Sequence, residues 1–190
     1  MAKTLIIQPW FTGKGHPAQS LLNTASTIGK DERVEYLVSF EDQSKACKDA
    51  IGRLEQLGLV HRFKAISRTG TGSTNTIRAL LTVSWLRLKG VRYQRLFFFD
   101  SNIPVLALVW RFFAWPLDVE RISILPLYGP EVIRSRIKRF LVKQFVGRSD
   151  VRVYLRTEEL THSWDASFEI STRCLPSLEI PDAPGGSPIS

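Results

Sequence analysis

Two glycines and a histidine follow the first apolar run of the chain, where their residue types suit ligand binding. The run covers residues 5–7, and the loop after it contains Gly13, Gly15 and His16. Glycine permits positive φ and close approach of another backbone, and the free N–H groups of a following helix can face an anion or a hydroxyl. A histidine beside them can hold a phosphate or a sugar hydroxyl. The pattern predicts a phosphate or sugar site at these three residues, with a ligand-free tight turn as the alternative.

The same spacing fits a dinucleotide-binding turn only in part. The third glycine of the pattern G-x-G-x-x-G falls at Ala18, a position where alanine also occurs. The carboxylate that binds the ribose should end the next strand, but Glu41 and Asp42 come one or two residues after it. A nicotinamide nucleotide is therefore an alternative ligand with less support.

A second group of polar residues ends the most apolar strand of the predicted fold. Asp100, Ser101 and Asn102 directly follow the run RLFFF. Open α/β sheets bind ligands at the carboxyl ends of their strands, so Asp100 and Asn102 are candidates for substrate contacts. The alternative is that Ser101 or Asn102 caps the helix that begins at Pro104, a role that needs no ligand.

Basic residues without any carboxylate fill the stretch 134–148. We predict an amphipathic helix from Glu131 to Val146, with its apolar side chains buried and its cations outside. The apolar residues are Val132, Ile133, Ile137, Phe140, Leu141 and Phe145. The cations that would form a membrane surface are Arg134, Arg136, Lys138, Arg139 and Lys143. Such a helix suits anionic lipid, with a solvated charged face as the alternative. Nucleic acid is an unlikely partner, because no recognisable module or interleaved aromatic residues accompany the charge.

Short apolar runs alternate with helical patterns about six times along the chain. The predicted strands cover residues 4–7, 34–40, 59–66, 93–99, 121–127 and 151–155. This alternation implies right-handed crossovers and a mainly parallel sheet with helices on both faces. The predicted fold class is α/β, doubly wound and Rossmann-like, over residues 1–175. Residues 176–190, rich in proline and glycine, are predicted to form a linker or tail.

Composition limits the function further. Hydrophobic residues make up 44% of the 190 residues and charged residues 23%, which is typical of a globular protein rather than a disordered one. The net charge of +8 favours polyanionic partners. Cys47 and Cys174 lack metal-ligand spacing, so we predict no metal site and free thiols in a cytoplasmic protein. No apolar run is long enough to cross a bilayer as a helix, and no signal peptide is apparent.

Several of these segments together resemble the N-terminal domain of GT-B glycosyltransferases, in particular the retaining group with a glycine-rich first loop. The resemblance lies in the opening strand, the loop GKGHPAQSLLNTAS, the strand end YGPE, the run RVYLRTEEL and a later LP. It implies two Rossmann-like domains in the full enzyme, the first binding the acceptor and the second the nucleotide-sugar. It also implies that Gly13, Gly15 and His16 lie at the cleft, beside the donor phosphates and the acceptor.

The resemblance places Tyr128, Gly129 and Glu131 near the reacting sugar. Family members often have a histidine before this glycine, and Tyr128 can donate a hydrogen bond to a sugar hydroxyl but cannot replace an imidazole in proton transfer. Catalytic residues therefore stay unassigned. Glu158 and Glu159 do not match the paired glutamates of the family's second domain.

The function expected from the resemblance is the acceptor-binding half of a hexosyltransferase of polysaccharide biosynthesis. It would need a donor-binding domain or partner, would use a nucleotide-sugar as co-substrate and no other cofactor, and would act on a saccharide or a lipid-linked acceptor. Its expected location is the cytoplasm, with peripheral attachment to an anionic membrane. The alternative is a non-catalytic α/β module that binds a phosphorylated ligand or a protein partner.

Overall fold

A computed structural model of the chain describes residues 3–11, 15–30, 33–40, 45–65, 72–113, 117–126 and 128–174, without the side chains of residues 15–17, 28, 72 and 174. The predicted tail, residues 176–190, and the loop glycine Gly13 lie outside the described residues.

Strands and helices alternate through the described part of the chain. The strands are β1 Thr4–Gln8, β2 Val34–Phe40, β3 Leu59–Lys64, β4 Arg95–Ser101, β5 Arg121–Pro126, β6 Val151–Leu155 and β7 Arg173–Cys174. The helices are α1 Gly15–Ile28, α2 Lys45–Glu55, α3 Gly72–Leu88, α4 Ile103–Phe112, α5 Arg136–Val146 and α6 Glu158–Phe168. A short 3-10 turn, Pro130–Val132, precedes α5.

The strands form one sheet in the order β3-β2-β1-β4-β5-β6-β7, and every neighbouring pair is parallel. This confirms the predicted α/β class. The strand order reverses between β1 and β4, and sheets of this kind open a crevice beyond the carboxyl ends of the strands at such a point. The ends of β1, β4 and β5 are therefore where a ligand site is expected.

Helices cover both faces of the sheet. Leu5 and Ile7 of β1 belong to a core with residues of α3, α4, α5 and α6, whereas Ile6 belongs to a core with residues of α1 and α2. Successive side chains of a strand point to opposite faces, so the two cores lie on opposite sides of the sheet. The fold is doubly wound, as predicted.

Short polar side chains fix where three of the helices begin. Asn102 caps α4, Ser135 caps α5 and Thr157 caps α6, each by accepting a backbone N–H from the first turn of its helix. The cap at Asn102 places the start of α4 directly after the carboxyl end of β4. It thereby confirms the capping role that the sequence left open for this residue.

The basic helix, α5, is shorter than predicted, and part of its predicted inner face is exposed. It begins at Arg136 instead of Glu131, because residues 130–132 form the 3-10 turn and Ser135 provides the cap. The prediction that Val132, Ile137 and Phe140 are buried is wrong, since all three side chains are more than half exposed. The predicted burial of Ile133 and Phe145 is confirmed, and the helix also buries Val142 and Val146, which continue its inner face toward its C-terminus.

Helix α3 also exposes part of its apolar surface. It begins at Gly72 and ends at Leu88. Its buried apolar residues are Ala79, Leu80, Val83 and Leu86. Ile77, Leu81, Trp85 and Leu88 are exposed. Their spacing of four, four and three residues places them on one stripe of the helix.

Candidate functional site

A cavity of about 340 Å³ opens at the carboxyl ends of β4 and β5. Three of the predicted substrate-binding residues, Asn102, Tyr128 and Gly129, line it together. The start of α3 contributes Ser73 to its wall, and α5 contributes Lys138. The structure thus brings the two predicted strand ends to one concave site, where α/β folds of this kind bind ligands.

Asn102 is held in place by two hydrogen bonds. Its Oδ1 accepts the backbone N–H of Val105 at 3.2 Å, and its Nδ2 donates to the Ser73 hydroxyl at 3.2 Å. The residue therefore joins the beginnings of α3 and α4 across the cavity wall. One N–H of its amide and the Ser73 hydroxyl remain chemically suited to contact a polar ligand.

Asp100 lies next to this wall in an unusual backbone conformation. Its φ is +45°, in the left-handed region, which short polar residues tolerate better than others. The side chain is buried, and its carboxylate accepts Gln8 Nε2 at 3.0 Å and Arg156 at 2.6 Å. Burial raises the pKa of Asp100, and the Arg156 charge and the Gln8 hydrogen bond oppose that rise without cancelling it. The carboxylate links the ends of β1 and β4 to the residue that follows β6.

The residues of the turn after β5 differ in their exposure to solvent. Tyr128 is about half exposed, whereas Gly129 is buried against the cavity. The carboxylate of Glu131 lies over Gly129, in the space that a Cβ at that position would need. Only this exposed, flexible side chain would have to move to admit a Cβ, and Glu131 stands at the rim without lining the cavity itself.

The first loop is described only in part. Gly15 and His16 are in the first turn of α1 rather than in a loop before it, so their backbone N–H groups belong to a helix N-terminus. The side chain of His16 lies outside the description, as does Gly13. The prediction of a phosphate or sugar site at these residues stays a prediction.

The basic residues divide into two groups. Arg134, Arg136 and Lys138 are exposed, and Lys138 also lines the cavity. Arg139 lies over the ring of Phe168 at 5.7 Å, and Lys143 pairs with Glu169 at 2.9 Å, so both of these point toward the C-terminal end of α6. All five cations are exposed, and the second group differs in having partners on or next to α6.

Several side chains of the site were not predicted from the sequence. Trp164 of α6 lines the cavity, is 1% exposed, and has an indole N–H without a hydrogen-bond acceptor in the described part of the chain. Arg156 and Gln8 join the site through Asp100. In the sequence, the position of Arg156 directly after a predicted strand was the one feature that pointed to any of these residues. Nothing in the sequence indicates that Trp164 reaches the ends of β4 and β5.

A second cluster of ionisable groups lies at the opposite, amino-terminal edge of the sheet. The buried Glu35 carboxylate contacts Lys3 Nζ at 2.5 Å, His61 Nε2 at 2.8 Å and the Tyr93 hydroxyl at 2.5 Å. Burial disfavours the carboxylate, but the hydrogen bonds from Lys3, Tyr93 and His61 outweigh it and hold the pKa of Glu35 below its usual value. Burial, with the nearby carboxylate, raises the pKa of Tyr93. All these groups satisfy one another, which indicates a structural role.

No protein-family model matches the chain, and no curated protein matches it significantly. Within the ranges given above, no group of three His, Cys, Asp or Glu residues could hold a metal ion. Among the same residues, no helix has both the length and the apolar character needed to cross a membrane.

Proposed function

We propose that this chain is the acceptor-binding half of a glycosyltransferase, which transfers a sugar from a nucleotide-sugar to a saccharide or lipid-linked acceptor. The cavity at the ends of β4 and β5 carries the proposal, because Asn102, Tyr128 and Gly129 line it together. Its position beside the reversal of strand order is where Rossmann-like domains bind their ligands.

The polar groups of the cavity suit sugar hydroxyls. The hydroxyls of Tyr128 and Ser73 can each donate and accept a hydrogen bond. The donor site and the catalytic groups would come from another domain or chain, and stabilisation of charge on the leaving phosphate would drive transfer. The nucleotide-sugar is then a co-substrate, and the proposal includes no other cofactor.

The proposed location is the cytoplasmic surface of an anionic membrane. Helices α3, α4 and α5 carry two, one and four Arg or Lys residues, seven in total, and no Asp or Glu. They also expose large apolar side chains, including Leu81, Trp85, Phe112, Ile137 and Phe140. A face with cations and exposed apolar groups binds anionic bilayers by charge attraction and by burial of the apolar groups. We call this surface the α3–α5 face.

A non-catalytic module is the second candidate. Lys138 at the cavity would suit a phosphorylated ligand, and the apolar side chains of the α3–α5 face would suit a protein partner. This candidate needs neither a donor domain nor an acceptor sugar, and binding measurements separate it from the first.

The test is a calorimetric titration of the chain with methyl glycosides and disaccharides, octyl glycosides and nucleotide-sugars. We expect glycoside binding that Tyr128→Phe weakens about three- to tenfold, since one hydrogen bond is lost. Tyr154→Phe is the matched control, because Tyr154 packs against Phe97 and does not line the cavity. Tight nucleotide-sugar binding would refute a half-enzyme, and binding of inorganic phosphate without any glycoside or alkyl phosphate would favour the non-catalytic module.

Membrane attachment is tested with vesicles of phosphatidylglycerol and of phosphatidylcholine. We expect binding only to the anionic vesicles, and an about tenfold or greater loss when Phe112 and Ile137 are both changed to Gln. Leu59→Gln is the matched control, because Leu59 is similarly exposed but lies on β3, outside the α3–α5 face. Equal loss in the control, or equal binding to both vesicles, would contradict the proposed attachment.

A further inference from the structure

We propose that the cavity binds an anionic lipid, with an apolar chain along its wall and a phosphate at Lys138. This inference rests on the proposed function and names the class of its acceptor: a lipid phosphate, or a sugar joined to one, instead of a free saccharide. It depends on the lining of the cavity, on the ammonium group of Lys138, and on the surface onto which the cavity opens.

The lining is mostly apolar. Helix α4 contributes Ile103, Val105 and Leu108, while Val132 and Leu141 come from the 3-10 turn and from α5. A free saccharide presents hydroxyls over most of its surface, and a binding site for it must offer matching polar groups to avoid unpaired hydroxyls. A hydrocarbon chain needs only apolar contact, which these side chains provide.

One charged group lines the cavity without a partner in the described part of the chain. Among those residues Lys138 has no carboxylate paired with its ammonium group, and α5 contains no acidic residue. An ammonium group without a counter-charge suits an oxyanion. A phosphate is therefore the head group that the cavity would accept.

The cavity is continuous with the α3–α5 face. Leu108 lines it and lies one helical turn before the exposed Phe112, and Leu141 lines it one turn after the exposed Ile137. A chain resting on an anionic bilayer through this face would hold the cavity mouth at the lipid surface. The apolar chain of a lipid could then enter the cavity without crossing water.

The experiment is a calorimetric titration with butyl, hexyl and octyl phosphate, below the concentrations at which they form micelles. We expect each added methylene to tighten binding about two- to fourfold. We expect Lys138→Gln to weaken octyl phosphate binding about tenfold and Leu108→Gln about threefold or more. Arg136→Gln and Leu81→Gln are matched controls, because both residues are exposed and neither lines the cavity. The tryptophan indole N–H signals provide a second readout: in NMR, one of the five should shift, and the same signal should be absent from Trp164→Phe.

The outcomes separate this inference from the proposed function. Inorganic phosphate binding as tightly as octyl phosphate, no effect of chain length, or equal losses in Lys138→Gln and Arg136→Gln would each overturn the lipid site. Binding of methyl glycosides without octyl phosphate would also overturn it, while leaving an acceptor-binding half in place. Binding of octyl phosphate together with tight binding of a nucleotide-sugar would support the lipid site and remove the half-enzyme proposal.

Discussion

Two buried carboxylates lie at opposite edges of the same sheet, and their surroundings differ. Glu35, near the amino end of β2, is in an ordinary strand conformation and contacts Lys3, His61 and Tyr93. Asp100, at the carboxyl end of β4, has a positive φ and contacts a guanidinium and an amide. The pKa is lowered for Glu35 and raised for Asp100.

The difference separates a structural cluster from a candidate site. Around Glu35 every hydrogen bond favours the charged form, so the cluster adds stability. Around Asp100 the favourable contacts do not offset burial, and the backbone is strained beside a cavity. Groups held in such surroundings are more frequent at functional sites than elsewhere. Charge and burial alone do not distinguish the two residues.

The largest expected effect is loss of stability at the amino-terminal edge. Glu35→Gln keeps the side-chain shape but removes the charge that three donors contact. We expect the free energy of unfolding to fall by about 2 kcal/mol, the scale of a hydrogen bond to a charged group. Urea denaturation measures it. Glu55→Gln is the control, because Glu55 pairs with Arg62 on the surface and its loss should cost under about 0.5 kcal/mol. Equal losses of stability in Glu35→Gln and Glu55→Gln would contradict the structural role of the Glu35 cluster.

The pH dependence should show opposite signs at the two edges. The lowered pKa of Glu35 means that its stabilisation is present above its unfolded value of about 4.3 and is lost as pH falls through the folded value. The stability difference between the wild type and Glu35→Gln should therefore shrink below about pH 4. For Asp100 the raised pKa means that proton uptake stabilises the fold as pH falls toward about 3.9. Urea unfolding of the wild type, Glu35→Gln and Asp100→Asn across pH measures both effects. If the stability difference from the wild type changed with pH in the same direction for both variants, the contrast between Glu35 and Asp100 would be contradicted.

The sequence predicted the fold better than the arrangement of its surfaces. Alternating apolar runs and helical patterns indicate strands and crossovers locally, so the α/β class and the positions of β2 and β6 could be read directly. The orientation of α5 could not, because Ile137 and Phe140 fit an inner face as well as Val142 and Phe145 do. Only packing against α4 and the sheet decides between them, and that contact is distant in sequence.

The site was predictable where strand ends carried polar residues, as at Asn102 and Tyr128. The rule that ligands lie beyond the carboxyl ends of parallel strands pointed to Asn102, and the family resemblance pointed to Tyr128. Trp164 could not be predicted, and only the position of Arg156 directly after a strand pointed to that residue. Both belong to the C-terminal part of the chain, and only the order of the strands in the sheet brings them to the site. The role of Glu35 was missed for the same reason, since Lys3, His61 and Tyr93 meet it only across neighbouring strands.

The smallest expected effect concerns Asp100, and it tests whether that carboxylate is structural. Asn tolerates the left-handed conformation and keeps a side-chain acceptor for Gln8, and Arg156 is 43% exposed, so water can solvate its guanidinium. Asp100→Asn should therefore change the free energy of unfolding by less than about 1 kcal/mol. Asp100→Ala should cost about 1 kcal/mol more, because alanine has no local hydrogen bond to offset the positive φ. Urea denaturation of both variants gives the comparison with Glu35→Gln. If Asp100→Asn lost as much stability as Glu35→Gln, the carboxyl edge would need its buried charge for folding, and the contrast between the two edges would not hold.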